Sequence, residues 1–92
     1  MTVAWSPDAA ADIEELSRYI EEATSLATAN RITRTIYEVA QSLKKLPNRG
    51  RPGRIKGIRE LVVSNLPYII MYRVFPEHVV IFNIVPGKQQ WP

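Results

Sequence analysis

IRELVVSNLPYIIMYRVFPEHVVIFNIV, residues 58–85, alternates along most of its length and is interrupted twice, at Asn65-Leu66-Pro67 and at Pro76-Glu77. A period of two in runs rich in Val, Ile, Tyr and Phe is the mark of β-strands, because successive side chains of a strand point to opposite faces. Three strands are expected, over 58–64, 68–74 and 78–85. Connections this short join only antiparallel neighbours, so the three form a meander.

Upstream the period changes. Ser6-Pro7-Asp8 reads as a helix start, with Ser6 as N-cap, Pro7 in the first helical position and an acid near the positive end of the helix. Ala9, Ile13, Leu16, Ile20 and Ala23 then recur at steps of three and four, leaving Asp12, Glu14, Glu15, Arg18, Glu21 and Glu22 on the remaining surface. After a break at Thr24-Ser25 a second stripe follows: Ala29, Ile32, Ile36, Val39, Leu43 and Leu46, stopped by Pro47 and Asn48. With a short strand over 2–5, the expected fold is α+β. An N-terminal helical hairpin packs on a small antiparallel sheet in the order β-α-α-β-β-β, within one domain spanning 1–92. Trp5, Leu16, Ile36, Leu43 and Phe82 are the expected core.

Pairing Ser64 with Tyr68 and Val74 with Val79 assigns the faces of the sheet. One face carries Arg59, Leu61, Val63, Ile69, Met71, Arg73, Val80, Phe82 and Ile84 and receives the helices. The other carries Glu60, Val62, Ser64, Tyr68, Ile70, Tyr72, Val74, Val79, Ile81, Asn83 and Val85, and is too apolar for a solvated face, so it needs a cover. The first strand, the C-terminal tail, a second copy and a dedicated partner are the alternatives. This register also sets Arg59 opposite Arg73, an arrangement of like charges that calls for an anion.

Between helices and meander lies NRGRPGRIKGIRE (48–60), with five cations, three glycines and one acid. Charge is unevenly divided along the chain. The first 23 residues hold Asp8, Asp12, Glu14, Glu15, Glu21 and Glu22 against Arg18; the rest holds eleven Lys and Arg against Glu38, Glu60 and Glu77. A basic body favours polyanions or acidic protein segments, although a merely solvated basic surface has the same composition. The 92-residue chain has no cysteine and one histidine, which excludes a disulfide framework, a thiolate site and a multi-imidazole zinc site; no cofactor or metal is indicated. The N-terminus turns acidic within eight residues and carries no long apolar run, so neither a leader peptide nor a membrane span is expected, and a cytoplasmic location fits.

Four motifs in order, W-S-P-x-A-x-x-D-I-x-x-L-x-x-Y-I (5–20), G-R-P-G-R-x-x-G-x-R-E-L-V-V (50–63), Y-I-I-x-Y-R-V (68–74) and Q-x-W-P (89–92), resemble the RelE/ParE toxins of type II toxin–antitoxin modules over nearly the whole chain. The resemblance implies a small α+β toxin neutralised by a cognate antitoxin whose extended, often acidic segment wraps it, within a higher-order complex. RelE-like members cut messenger RNA on the ribosome using clustered basic side chains and a late tyrosine. Here Tyr68 is followed by Ile69, Gly87-Lys88 by Gln89, and the chain ends at Trp91-Pro92 without a tyrosine. These departures favour the ParE-like branch, whose members poison DNA gyrase by binding. No catalytic residue is assigned; the ribosome-dependent endoribonuclease remains the alternative. Arg49, Arg51, Arg54, Lys56, Arg59, Arg73, Lys88 and Trp91 are the expected partner- and target-binding residues. His78 reads as a solvated turn residue, and a plain nucleic-acid module is disfavoured because Tyr68 and Tyr72 alternate with aliphatic residues.

Overall fold

A computed structural model describes residues 1–87. Strand β1 (Thr2–Trp5) leads into helices α1 (Pro7–Ala23) and α2 (Leu26–Gln41), followed by β2 (Arg51–Pro52), β3 (Arg59–Val62), β4 (Tyr68–Val74) and β5 (His78–Pro86). The five strands form one sheet in the order β1-β5-β4-β3-β2. The antiparallel meander is as expected, and β1 makes the sheet mixed by lying parallel to β5, with Val3 beside Val79 and Trp5 beside Ile81. The helical hairpin returns the chain across the sheet, which a parallel neighbour requires.

The helix starts follow the sequence. Ser6 Oγ accepts from the Ala9 N–H at 3.0 Å and donates to the Phe82 carbonyl at 3.0 Å, so the cap that starts α1 also fastens it to β5. Ser25 caps α2 in the same way through the Thr28 N–H. Helix α2 ends five residues earlier than its apolar stripe. Ser42–Lys44 form a 3-10 turn that holds Leu43 in the core, and the chain leaves helical geometry after it, so Leu46 no longer follows the stripe and is 59% exposed.

Ala9, Ile36, Ala40, Leu43, Leu61, Val63, Ile70, Tyr72, Val79, Ile81 and Ile84 form the buried core, with Trp5 and Leu16 packed against its edge. This corrects the face assignment. Val63, not Ser64, meets Tyr68, its N–H donating to the Tyr68 carbonyl at 3.0 Å; Leu61 pairs with Ile70 and Arg59 with Tyr72. The turn is one residue longer than expected, with Asn65 in the left-handed region at φ 66. One residue of slip flips a strand relative to its neighbour. Farther along, Met71 pairs with Asn83 but Tyr72 with Ile81, leaving Phe82 as the extra residue of a bulge. Ile84 therefore joins Ile70 on the helix side, and Phe82 is only partly buried instead of core. The apolar "second" face holding Ile70, Tyr72, Val79 and Ile81 is the face under the helices, so it needs no further cover.

Candidate functional site

The corrected register separates the two arginines expected to face one another. Arg59 lies beside Tyr72, on the helix side, whereas Arg73 lies beside Val80 on the outer side. The basic residues are consequently held as two groups with different partners.

On the helix side the anchor is Tyr72. Its ring is buried, its hydroxyl donates to the Pro47 carbonyl at 2.8 Å and accepts the Gly50 N–H at 2.8 Å, and Arg59 Nη1 donates to the Gly50 carbonyl at 2.6 Å. A buried phenol seeks such partners. Burial pushes the Tyr72 hydroxyl above its ordinary value, offset in part by the Gly50 N–H and the charges of Arg59 and Arg49. Arg49 reaches back to Ser42, Nη1 to Oγ 2.7 Å, tying the start of the loop to the end of α2.

On the outer side the centre is Glu60, the single acid of the stretch, which is 3% exposed. It sits opposite Arg51 on β2, whose Nη2 lies 3.3 Å from Oε1; Oε2 accepts the Arg54 N–H at 3.3 Å and lies 3.6 Å from Arg54 Nε. Loop backbone closes over this carboxylate. A Cβ on Gly53 would stand 2.7 Å from the Ile58 carbonyl oxygen and 3.0 Å from Glu60, so only glycine fits without displacement. The return is made at Gly57, where φ is +85. Thus the stretch that looks loose in sequence is a stapled loop: a two-residue strand, a buried counter-ion and a tyrosine hinge.

Burial alone would raise the Glu60 carboxyl, but the Arg54 N–H, the Arg51 hydrogen bond and the charges of Arg54 and Arg51 outweigh it and hold the group below its ordinary value of 4.5. A depressed carboxyl stabilises the fold above its unfolded pKa and loses that contribution as pH falls through the folded value. Glu60→Gln is expected to lower stability at neutral pH and to narrow the gap to the natural chain as pH drops below about 4.5, read by urea denaturation across a pH series. A gap that is constant with pH would show that Glu60 is not the titrating counter-ion.

Arg49, Arg51, Arg54, Lys56 and Arg73 are exposed and Arg59 partly buried, while Lys88 and Trp91 lie outside the described residues. Sequence reasoning missed the roles of Tyr72 and Glu60. The signals were present: a tyrosine amid core aliphatics must satisfy its hydroxyl, and a lone acid among five cations is their natural counter-ion. Asp12 was also misplaced on the solvated side of α1; its Oδ2 accepts from Asn83 Nδ2 at 3.1 Å and the Ile84 N–H at 3.0 Å, joining helix to sheet beyond the bulge.

A groove of about 580 Å³ lies elsewhere, between α1 and the ends of β4 and β5, lined by Asp12, Glu15, Leu16, Tyr19, Tyr68 and Ile84 among others. Its acids make it a poor receptor for anions. Among the described residues no group of His, Cys, Asp or Glu is placed to hold a metal ion, and no helix is long and apolar enough to cross a membrane.

Residues 3–91 match the family model described as the ParE toxin of type II toxin–antitoxin systems, parDE. The chain is 39% identical over 90 residues to the Sinorhizobium fredii protein named "Putative toxin Y4kP", covering 98% of this chain and 92% of that one. Among solved structures it is similar to a chain of the chromosomal ParDE TA system from P. aeruginosa, with a TM-score of 0.90 at 25% identity over 95% of this chain and 96% of that chain. It also shares its fold with a YoeB/ParE toxin from Agrobacterium tumefaciens, with a TM-score of 0.64 at 16% identity over 95% and 99% of the two chains.

Proposed function

The chain belongs to the ParE toxin family of type II toxin–antitoxin systems, and we propose that it arrests growth in the cytoplasm by binding DNA gyrase and trapping its cleaved-DNA state, without hydrolytic chemistry of its own. A cognate antitoxin neutralises it, as the resemblance of the ParE-like branch implies. The binding surface is the stapled loop with Arg49, Arg51, Arg54, Lys56 and Arg59, together with Arg73. The observation that supports this reading is the commitment of the loop's carboxylate and of the phenol that anchors it: Glu60 is buried between Arg51 and Arg54, and the Tyr72 hydroxyl is spent on Gly50 and Pro47, which leaves the arginines and the exposed amine of Lys56 on the surface. General acid–base catalysis needs a group free to give and take a proton at the substrate, and guanidinium groups do not serve. Positive charge on a rigid backbone instead suits recognition, with an on-rate that falls as salt rises.

Purified antitoxin-free protein is expected to raise the yield of gyrase-cleaved plasmid while leaving translation in a cell extract intact. Ribosome-dependent cuts in messenger RNA with gyrase unaffected would overturn the proposal in favour of the endoribonuclease.

A further inference from the structure

The outer side of the β4–β5 hairpin carries a row of planar groups that the stapled loop does not use. Arg73 pairs with Val80, Val74 with Val79, and the Phe75 N–H donates to the His78 carbonyl at 2.8 Å. Alternation therefore sets Arg73, Phe75, His78 and Val80 on one side, opposite the side where Val79 joins the core. The Arg73 guanidinium carbon lies 5.1 Å from the Phe75 ring centroid, and the His78 imidazole is stacked on that ring at 4.9 Å and 12°. Arg73 and His78 are exposed. The guanidinium also adjoins the loop, since a Cβ on Gly57 would stand 3.8 Å from its Nε, and Lys56 is exposed at the neighbouring position.

Among the described residues, Phe75 and His78 lie outside the buried core cluster and the side chains packed against it. Tyr72 is anchored by its hydroxyl and the aliphatic strand residues by burial, but an exposed imidazole resting on a phenyl ring leaves one aromatic face toward solvent. Such a face beside cations matches the chemistry of unpaired nucleotides: bases stack on the ring and the flanking phosphates meet the charges. An acidic peptide would use the charges and leave the ring idle, and a duplex has no base face to offer.

We propose that the Arg73–Phe75–His78 row binds a single-stranded nucleic-acid segment, one base stacking on the His78 imidazole and adjacent phosphates meeting Arg73 and Lys56. The site is a property of the free protein and stands whether or not gyrase is the target.

His78 is the single histidine, so its ring resonances in the tag-free full chain report the site without substitution. Titration with a short labelled oligothymidylate at low salt is expected to give saturable binding by anisotropy and an upfield shift of the His78 ring protons. His78→Ala and Phe75→Leu should each weaken binding by about tenfold, with circular dichroism of the His78→Ala protein unchanged, whereas Arg31→Ala, at an exposed cation on α2, should leave it nearly unaltered. Absence of binding, unmoved His78 resonances, or an Arg31→Ala loss as large as that of His78→Ala would overturn the proposal. So would polyglutamate that binds with the same dependence on Phe75 and His78, which would make the row a receptor for acidic protein segments.

Discussion

Leu43→Ala is expected to destabilise the fold by roughly 2 to 5 kcal/mol, the range for truncating a fully buried leucine in a core that relaxes only in part. Leu43 has no exposed surface, sits in the 3-10 turn after α2, and belongs to the buried cluster that also holds Ile36, Ala40, Val79 and Ile81. Loss there acts twice. It removes core contacts, and it loosens the turn from which the chain enters Pro47, whose carbonyl accepts the Tyr72 hydroxyl. In a chain this short the whole folding free energy is on the order of 5 to 15 kcal/mol, so the substitution should unfold a measurable fraction at physiological temperature. Leu46→Ala, three residues on and largely exposed, should shift the urea midpoint little. Equal midpoints for the two variants would show that the 3-10 turn does not carry Leu43 into the core.

The period of the apolar residues was enough to place both helices and all three strands of the meander, because burying one face imposes that period on the sequence. The pairing of the strands was not legible to the same degree. Asn65-Leu66-Pro67 looks like a complete turn, yet Leu66 folds inward against the core and Ser64 is drawn into the loop. That single residue reverses β3 against β4. Along β5 every residue from Val79 to Val85 except Asn83 is apolar, so no alternation marks where Phe82 bulges out of register. Both errors pointed the same way, and together they turned the core side of the sheet into an apparently uncovered apolar face.

The basic stretch shows a different limit. Its glycines and cations were visible, and so was their value for letting the backbone approach closely and turn. What could not be read was which cation meets which partner, because this depends on the register of β2, β3 and β4. Arg59 and Arg73 seemed to form one anion site, whereas the sheet divides them: Arg59 braces the Gly50 carbonyl, and Arg73 stacks on Phe75. Neither needs an anion between them.

That division changes what a charge-reversal experiment measures. Arg51→Glu with Arg54→Glu is expected to cost roughly 2 to 4 kcal/mol of stability, because removing the partners of a buried charge leaves it uncompensated. The figure lies below the full range for buried pairs because the two arginine side chains are 48% and 57% exposed and partly screened by water. Two further carboxylates brought to Glu60 add repulsion, so the loop should open and the protein should lose toxicity without any contact with its target having been tested. Adding Glu60→Gln removes the stranded charge and should recover a large part of the stability by urea denaturation; failure to recover any would mean that Glu60 is not the counter-ion on which the loop closes. Lys56→Glu, at an exposed cation beside Gly57, is the cleaner probe of recognition. It should preserve the midpoint while slowing association with antitoxin or target at low salt, and the difference should fade as salt rises. If association is unchanged by Lys56→Glu across the salt series, the loop's charge has no part in recognition, and its arginines serve only to hold the loop shut.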